Sequence, residues 1–275
     1  WMLIGGPIAV LSLWAVCDNP RLYFVTLRNS LTLASLYFIV ASGFTLVFGL
    51  MRNVNLAHGT LYLLGGYVGY VVADKPGWWV IALAAGFLAA AIGGVLMQWL
   101  VLRHMQGEEL RQTMVTIGIS IIGADILLWI FTVQVYQMEA PEWLQGPIRG
   151  IPLINAYSAY RLSLLGFGLA IGLGLWWLLS RTRVGMMIRA GVDDRNMLAA
   201  SGVNVQRLFA ITFALGAGLA GFGGVIGAVV FKLMHDVISS ITPQYWTFWM
   251  GLFLVVLVMV GRERLFKPWT WMRRT

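Results

Sequence analysis

The chain has 275 residues, of which 59% are hydrophobic and only 11% charged. Soluble domains carry about 25% charged residues, and 19 basic plus 11 acidic side chains could not cover a globule of this size. That excludes an ordinary soluble enzyme and a disordered chain. The formal charge of +8 would suggest nucleic acid in a soluble protein. Here the bases gather in short loops and in the tail, the pattern that fixes orientation in a bilayer. Cys17 is the single cysteine, so no intrachain disulfide can form. His58, His104 and His235 lack metal-ligand spacing, and neither a metal nor a cofactor is expected in this chain.

Taken in order, the apolar segments lie at about 1–17, 29–51, 57–73, 77–102, 113–135, 162–180, 208–231 and 244–261. Each predicts a helix, because backbone amides in lipid must be satisfied within their own segment. Strands of a membrane barrel would alternate polar and apolar residues, and that alternation is absent. The expected fold is therefore all-α: a polytopic transmembrane helical bundle of about eight spans. Residues 1–17 lack a basic leader and a small-residue cleavage site, so a first span is predicted rather than a signal peptide. The 57–73 run is short and glycine-rich, and either spans or re-enters. The whole, 1–275, reads as a single transmembrane domain with an outer loop at 136–161 and a cytoplasmic loop at 181–207.

Orientation follows from counting bases. Placing the 181–207 loop and the 262–275 tail in the cytoplasm puts Arg52, Arg103 and Arg111 there too. The opposite side keeps only Arg21, Arg28, Lys75, Arg149, Arg161 and Lys232, as the positive-inside rule requires. The spans carry small-residue pairs four apart: Gly65 and Gly69, Gly168 and Gly172, Ala217 and Gly221, Gly223 and Gly227. These predict close helix contacts.

Three places could carry chemistry. Asp125 is the one acid deep inside a span, where an ionisable group is costly. It reads either as a satisfied helix–helix hydrogen-bond partner or as a contact for a cation, proton or polar substrate. Asn53, Asn55 and His58 stand at the mouth of the glycine-rich span, where they would cap the helix or line a substrate route. In the 181–207 loop, Asp193 or Asp194 would cap a helix of about two turns, with Gly202 as its left-handed stop. Met197 and Leu198 would be exposed apolar residues on it. So short a helix needs a partner surface, which predicts a docking element. No phosphate-binding loop is present, and none of Lys75, Lys232 and Lys267 follows a glycine-rich turn. Any ATP would have to be hydrolysed by another chain.

The stretches NSLTLASLYFIVASGFTLVFGLMRNVNLAHGTLYLLGGYVGY (29–70) and SRTRVGMMIRAGVDDRNMLAASGVNVQRLFAITFALGAGLAGFGGVIGA (180–228) resemble the branched-chain amino-acid ABC importer permease family. The likeness is to the first of its two homologous permease subunits, through the Ala57-His58-Gly59 element and the order of Arg189-Ala190, Asp194, Ala199, Gly202, Val203 and Asn204. That resemblance implies a non-enzymatic subunit of the bacterial inner membrane, with 1–275 a single permease domain and the outer loop 136–161 periplasmic. It implies a second homologous permease, cytoplasmic ATPase subunits and a periplasmic substrate-binding protein as partners, and no nucleic acid. The inner-loop helix would be the element gripped by the ATPase, with Asp194, Leu198, Ala199, Ala200 and Gly202 on its pattern. Asn55, His58 and Asp125 are the expected substrate-pathway residues.

The implied cargo is a branched-chain amino acid, with urea, short amides or aromatic acids as alternatives in the same family. The family's glycine-rich turn after the equivalent of GGVIGA is not found here, so the chain reads as lacking a C-terminal helix pair. That leaves two further classes open: a secondary transporter coupled through Asp125, and a shortened paralogue that does not transport.

Overall fold

The computed structural model describes residues 20–51, 55–74, 78–105, 108–131 and 159–241, with the isolated positions 138, 141, 144 and 146. Two compact units are present, Trp1–Val229 and Val230–Thr275; the helix contacts and the candidate site belong to the first. The predicted segments 1–17 and 244–261 and most of the 136–161 loop lie outside the described residues.

Eight α-helices and one short 3-10 turn make up the described chain. They are α1 (Pro20–Met51), α2 (His58–Ala73), α3 (Trp79–Leu100), the 3-10 turn Leu102–Met105, α4 (Glu109–Phe131), α5 (Ala159–Arg181), α6 (Arg183–Asp193), α7 (Arg195–Ala200) and α8 (Val205–Ile241). The last includes residues of both units. All six predicted spans within the described residues are helical. Stretches of α1, α3, α4, α5 and α8 are long and apolar enough to cross a bilayer. Helix α2, at 16 residues, rises about 24 Å, short of the roughly 30 Å hydrocarbon layer. It is one unbroken helix.

Helix α8 is the axis of the first unit. Of its most apolar 18-residue window within Val205–Val229, 72% is buried, against 11% for the corresponding windows of α4 and of α5. The reason is in its small residues. A Cβ on Gly65 of α2 would strike the Gly221 backbone, and one on Gly221 would strike the Gly86 carbonyl of α3. On the other side, Gly43 of α1 and Gly216 of α8 each leave no room for a Cβ on the other. Inside a bilayer no hydrophobic effect drives helices together, so close van der Waals packing of this kind is what holds them. The small pairs seen in the sequence provide it, together with Gly43, Gly86 and Gly216 outside those pairs.

Helix α5 is tied to α8 differently. The Tyr160 hydroxyl, fully buried, donates to the Ile226 carbonyl at 3.0 Å. Phe167 meets Phe222 edge-on with ring centroids 5.5 Å apart. Helix α4 meets α2 along one stripe. Thr60 Oγ1 lies 3.1 Å from both the carbonyl and the hydroxyl of Ser120, and the Thr60 methyl fills the space over Gly123. Thr116 and Leu127 are the buried residues above and below; all four fall on one face at helical spacing.

One end of the bundle collects the described connecting residues 55–57, 101–105 and 182–204. Its core holds Val47, Ala57, Leu61, Met97, Leu102 and Phe213 in one cluster.

Candidate functional site

The loop between α5 and α8 is a folded unit rather than a bare connection. Thr182 Oγ1 accepts the Gly185 amide at 3.1 Å and starts α6. Helix α6 then buries Gly185, Ile188 and Gly191 at three-residue intervals, one face of a helix. Gly185 presses on the Leu178 and Leu179 backbone, where a Cβ has no space. The Arg189 guanidinium donates to the Leu179 carbonyl and ties α6 back onto the end of α5.

Asp194 ends α6 and opens α7. Its Oδ1 accepts the amides of Asn196 at 2.8 Å and Met197 at 3.1 Å, two donors that otherwise have no helical acceptor. Gly202, at φ +84°, stops the helix in a conformation that costs an L residue with a Cβ about 1–2 kcal/mol. The expected cap and stop are both present, but α7 has six residues rather than about two full turns.

Leu198 corrects the sequence reading. It is buried, not exposed, and packs with Ile188, Leu208 and Phe209. On a helix, adjacent residues point about 100° apart, so Leu198 turns in while Met197 turns out at 74% exposure. Relative to exposure to water, burying Leu198 is worth about 2 kcal/mol, and it seats α7 directly on the first turns of α8. Asp194, Ala199, Ala200 and Gly202 are exposed, and Met186 on α6 is also 61% exposed. Helix α6 itself goes beyond the sequence reading. The spacing of Val184, Met187, Ile188 and Val192 is helical, but Gly185 and Gly191 mask it.

A second group is buried at the loop end of the bundle. Asn55 Oδ1 accepts the Ala57 amide at 3.1 Å and the Asn55 carbonyl accepts the His58 amide at 3.3 Å. Asn55 thus shapes the turn into α2, one of the two roles expected of it. Leu56 donates its amide to Thr116 Oγ1 at 3.3 Å. Among the described residues, however, the buried Asn55 Nδ2 finds no partner, nor does either ring nitrogen of His58. The His58 ring meets Phe44 edge-on at 5.6 Å. The Val40 carbonyl is near the imidazole without completing a hydrogen bond of good geometry.

Gln98, two residues before the end of α3, is a third buried polar residue, one that the sequence alone does not single out. It is 2% exposed, and both its amide atoms are buried with no partner among the described residues. It stands one turn beyond Gly94, whose face meets Phe213 and Ala217 of α8. Each buried polar atom left unpaired costs about 1–3 kcal/mol, and such atoms are rare in packed proteins. The only sequence signal is a lone amide in an otherwise apolar run.

Asp125 does not belong to this group. Helix α4 meets Thr60 of α2 through Ser120 and Gly123, and the buried Thr116 and Leu127 lie on the same face. Asp125 falls on the opposite side and is exposed. Among the described residues no set of His, Cys, Asp or Glu could hold a metal ion.

Comparison with known proteins gives these features a frame. A family model described as the permease component of the branched-chain amino acid transport system matches residues 26–264. The high-affinity branched-chain amino acid permease BraD of Pseudomonas aeruginosa is 26% identical over 230 residues, covering 79% of this chain and 73% of BraD. LivH of Escherichia coli K12, of the same description, is 26% identical over 221 residues, covering 74% and 70%. The autoinducer 2 import permease LsrC of Salmonella paratyphi B is 26% identical over 220 residues, covering 77% and 58%. No solved structure matches. With its apolar helices and a family match over most of its length, the chain is an integral membrane protein of the branched-chain amino acid transport permease family.

Proposed function

We propose that this chain is the translocating subunit of an ATP-driven importer in the bacterial inner membrane, with branched-chain amino acids as its cargo. It would work beside a second homologous permease, with ATPase subunits below and a periplasmic binding protein above. The observation that carries this reading is the α6–α7 unit. It is capped, stopped and seated by Leu198 on α8, yet it presents Met197 and Met186 outward. Exposed methionines on a rigid mount suit a groove in another protein.

The mechanism follows from that seating. ATP-driven closure of the ATPases would press on α7. Leu198 and Phe209 pass the displacement to α8, which touches α1, α2, α3 and α5. Small shifts at such a handle become rigid movements of packed helices rather than local bending. The unpaired polar atoms of Asn55, His58 and Gln98 lie around the loop end of these same helices. Separation of the helices there would let water or the polar ends of an amino acid satisfy them. Asn55 and His58 thus keep their proposed place on the route, and Gln98 is added to it.

The likeness to BraD and LivH supports leucine-like cargo over urea, short amides or aromatic acids. The test is reconstitution of the chain with its partner subunits in vesicles. Met197→Asp and Gly202→Val should insert normally, and both should lose ATP-dependent leucine uptake. Normal uptake by both variants would sink the docking reading. Uptake driven by a proton or sodium gradient without ATP would replace it with the secondary-transport reading.

A further inference from the structure

The start of α2 holds more hydrogen-bond donors than it has acceptors for. Four backbone amides there are already used. Leu56 donates to Thr116 Oγ1, Ala57 to Asn55 Oδ1, His58 to the Asn55 carbonyl and Thr60 to the Ala57 carbonyl. The Gly59 amide, in the first turn, finds no acceptor among the described residues. A Cβ on Gly59 would meet nothing within 4 Å, so there is space beside that amide. The backbone dipoles of α2 leave this end of the helix partly positive.

Two buried side chains add to the excess. The Ala57 amide holds Asn55 Oδ1, which fixes the orphaned atom of that side chain as its NH2, a group that only donates. Asn55 is 5% exposed and His58 6%. Neither ring nitrogen of His58 is committed among the described residues, so the imidazole is free to offer an N–H from either one. What acts on that ring is its burial and the Val40 carbonyl, with no carboxylate beside it. An ammonium group brings only donors and would face the positive end of α2. Water accepts, but it must also place two protons of its own. A carboxylate has two oxygens with about four acceptor positions and no proton, and its charge suits a helix N-terminus.

We infer that the start of α2 is the station for the carboxylate of the amino-acid cargo, held by Asn55 Nδ2, the His58 N–H and the Gly59 amide. The ammonium group and the apolar side chain of the cargo lie away from these donors. Parting of the helices at this end, during the movement described above, opens the station. The assignment rests on the importer reading, but each can fail without the other.

The experiment labels the full chain with nitrogen-15 in histidine and reconstitutes it with unlabelled partner subunits in vesicles. Solid-state NMR then follows the ring nitrogens. The chain has three histidines, and His58→Phe identifies the His58 lines by their loss. The probes are 4-methylpentanoate, which is leucine without its ammonium group, and 3-methylbutylamine, which is leucine without its carboxylate. We expect the acid to move the His58 lines saturably and the amine to leave them in place. Asn55→Asp keeps an oxygen for the Ala57 amide but puts a second acceptor where the NH2 was. It should raise the half-saturating concentration of the acid about tenfold to hundredfold. Asn55→Ser, which keeps a turn-forming oxygen without a charge, should raise it about twofold to tenfold. An equal response to the amine would overturn the inference, and so would unchanged half-saturation in both variants. An equal response to chloride would assign the station to inorganic anions and overturn it as well. Intact leucine uptake with no response to the acid would reject the station and spare the importer. A response to the acid in an assembly that imports no leucine would do the reverse.

Discussion

Replacing Asp194 by alanine isolates the cap of α7. The side chain holds two amides, those of Asn196 and Met197, at the start of a helix only six residues long. Loss of such a cap costs about 1 kcal/mol, which multiplies the opened population about fivefold. No long run of intrahelical bonds can absorb that loss, because a helix this short is unstable alone. The assay is hydrogen–deuterium exchange, read by mass spectrometry on a peptide covering residues 195–204. Asp194→Ala should speed exchange there by about fivefold. Asp194→Asn, which keeps an oxygen in the same place, should stay within about twofold of the parent. If the asparagine variant opens as readily as the alanine one, the carboxylate acts through its charge and not as a cap. If neither variant changes exchange, α7 is held by Leu198 packing alone.

Two other substitutions probe the bundle. Gly65→Val would drive a branched side chain into the Gly221 backbone, at a cost of at least about 1–3 kcal/mol. Thermal unfolding in detergent should show a lowered Tm, and a Tm equal to the parent's would mean α2 and α8 are not in backbone contact. Gln98→Leu removes two unpaired buried atoms while nearly keeping the shape, so Tm should hold or rise. Uptake should fall in the same variant if the amide is wetted during transport. A lowered Tm with full uptake would show that Gln98 is a satisfied core residue.

Much of this architecture can be read from the residues, because lipid leaves the chain few choices. Apolar runs near 20 long must be helices, and all six in the described region are. Asp194 and Gly202 are legible because capping and left-handed stops depend on local chemistry alone. What escapes the sequence depends on faces and on neighbours. Leu198 and Met197 look equivalent in the string, and only the rotation of α7 over Phe209 separates them. Gln98 looks like a chance polar residue until α3 is seen turned towards α8. Asn55, His58 and Asp125 are alike in being polar within apolar surroundings. Yet the first two are enclosed by their own bundle and the third lies on its outside, a distinction set by which stripe of α4 meets Thr60.

The glycine contacts around α8 also determine where this chain could be made sturdier for purification. With backbone against backbone at Gly65, Gly86 and Gly221, added bulk at these three sites has nowhere to go. The slack lies on α5, where Gly166 and Gly174 have open space around them. Alanine there would stiffen the helix by about 0.5–1 kcal/mol per site, without touching the crowded centre.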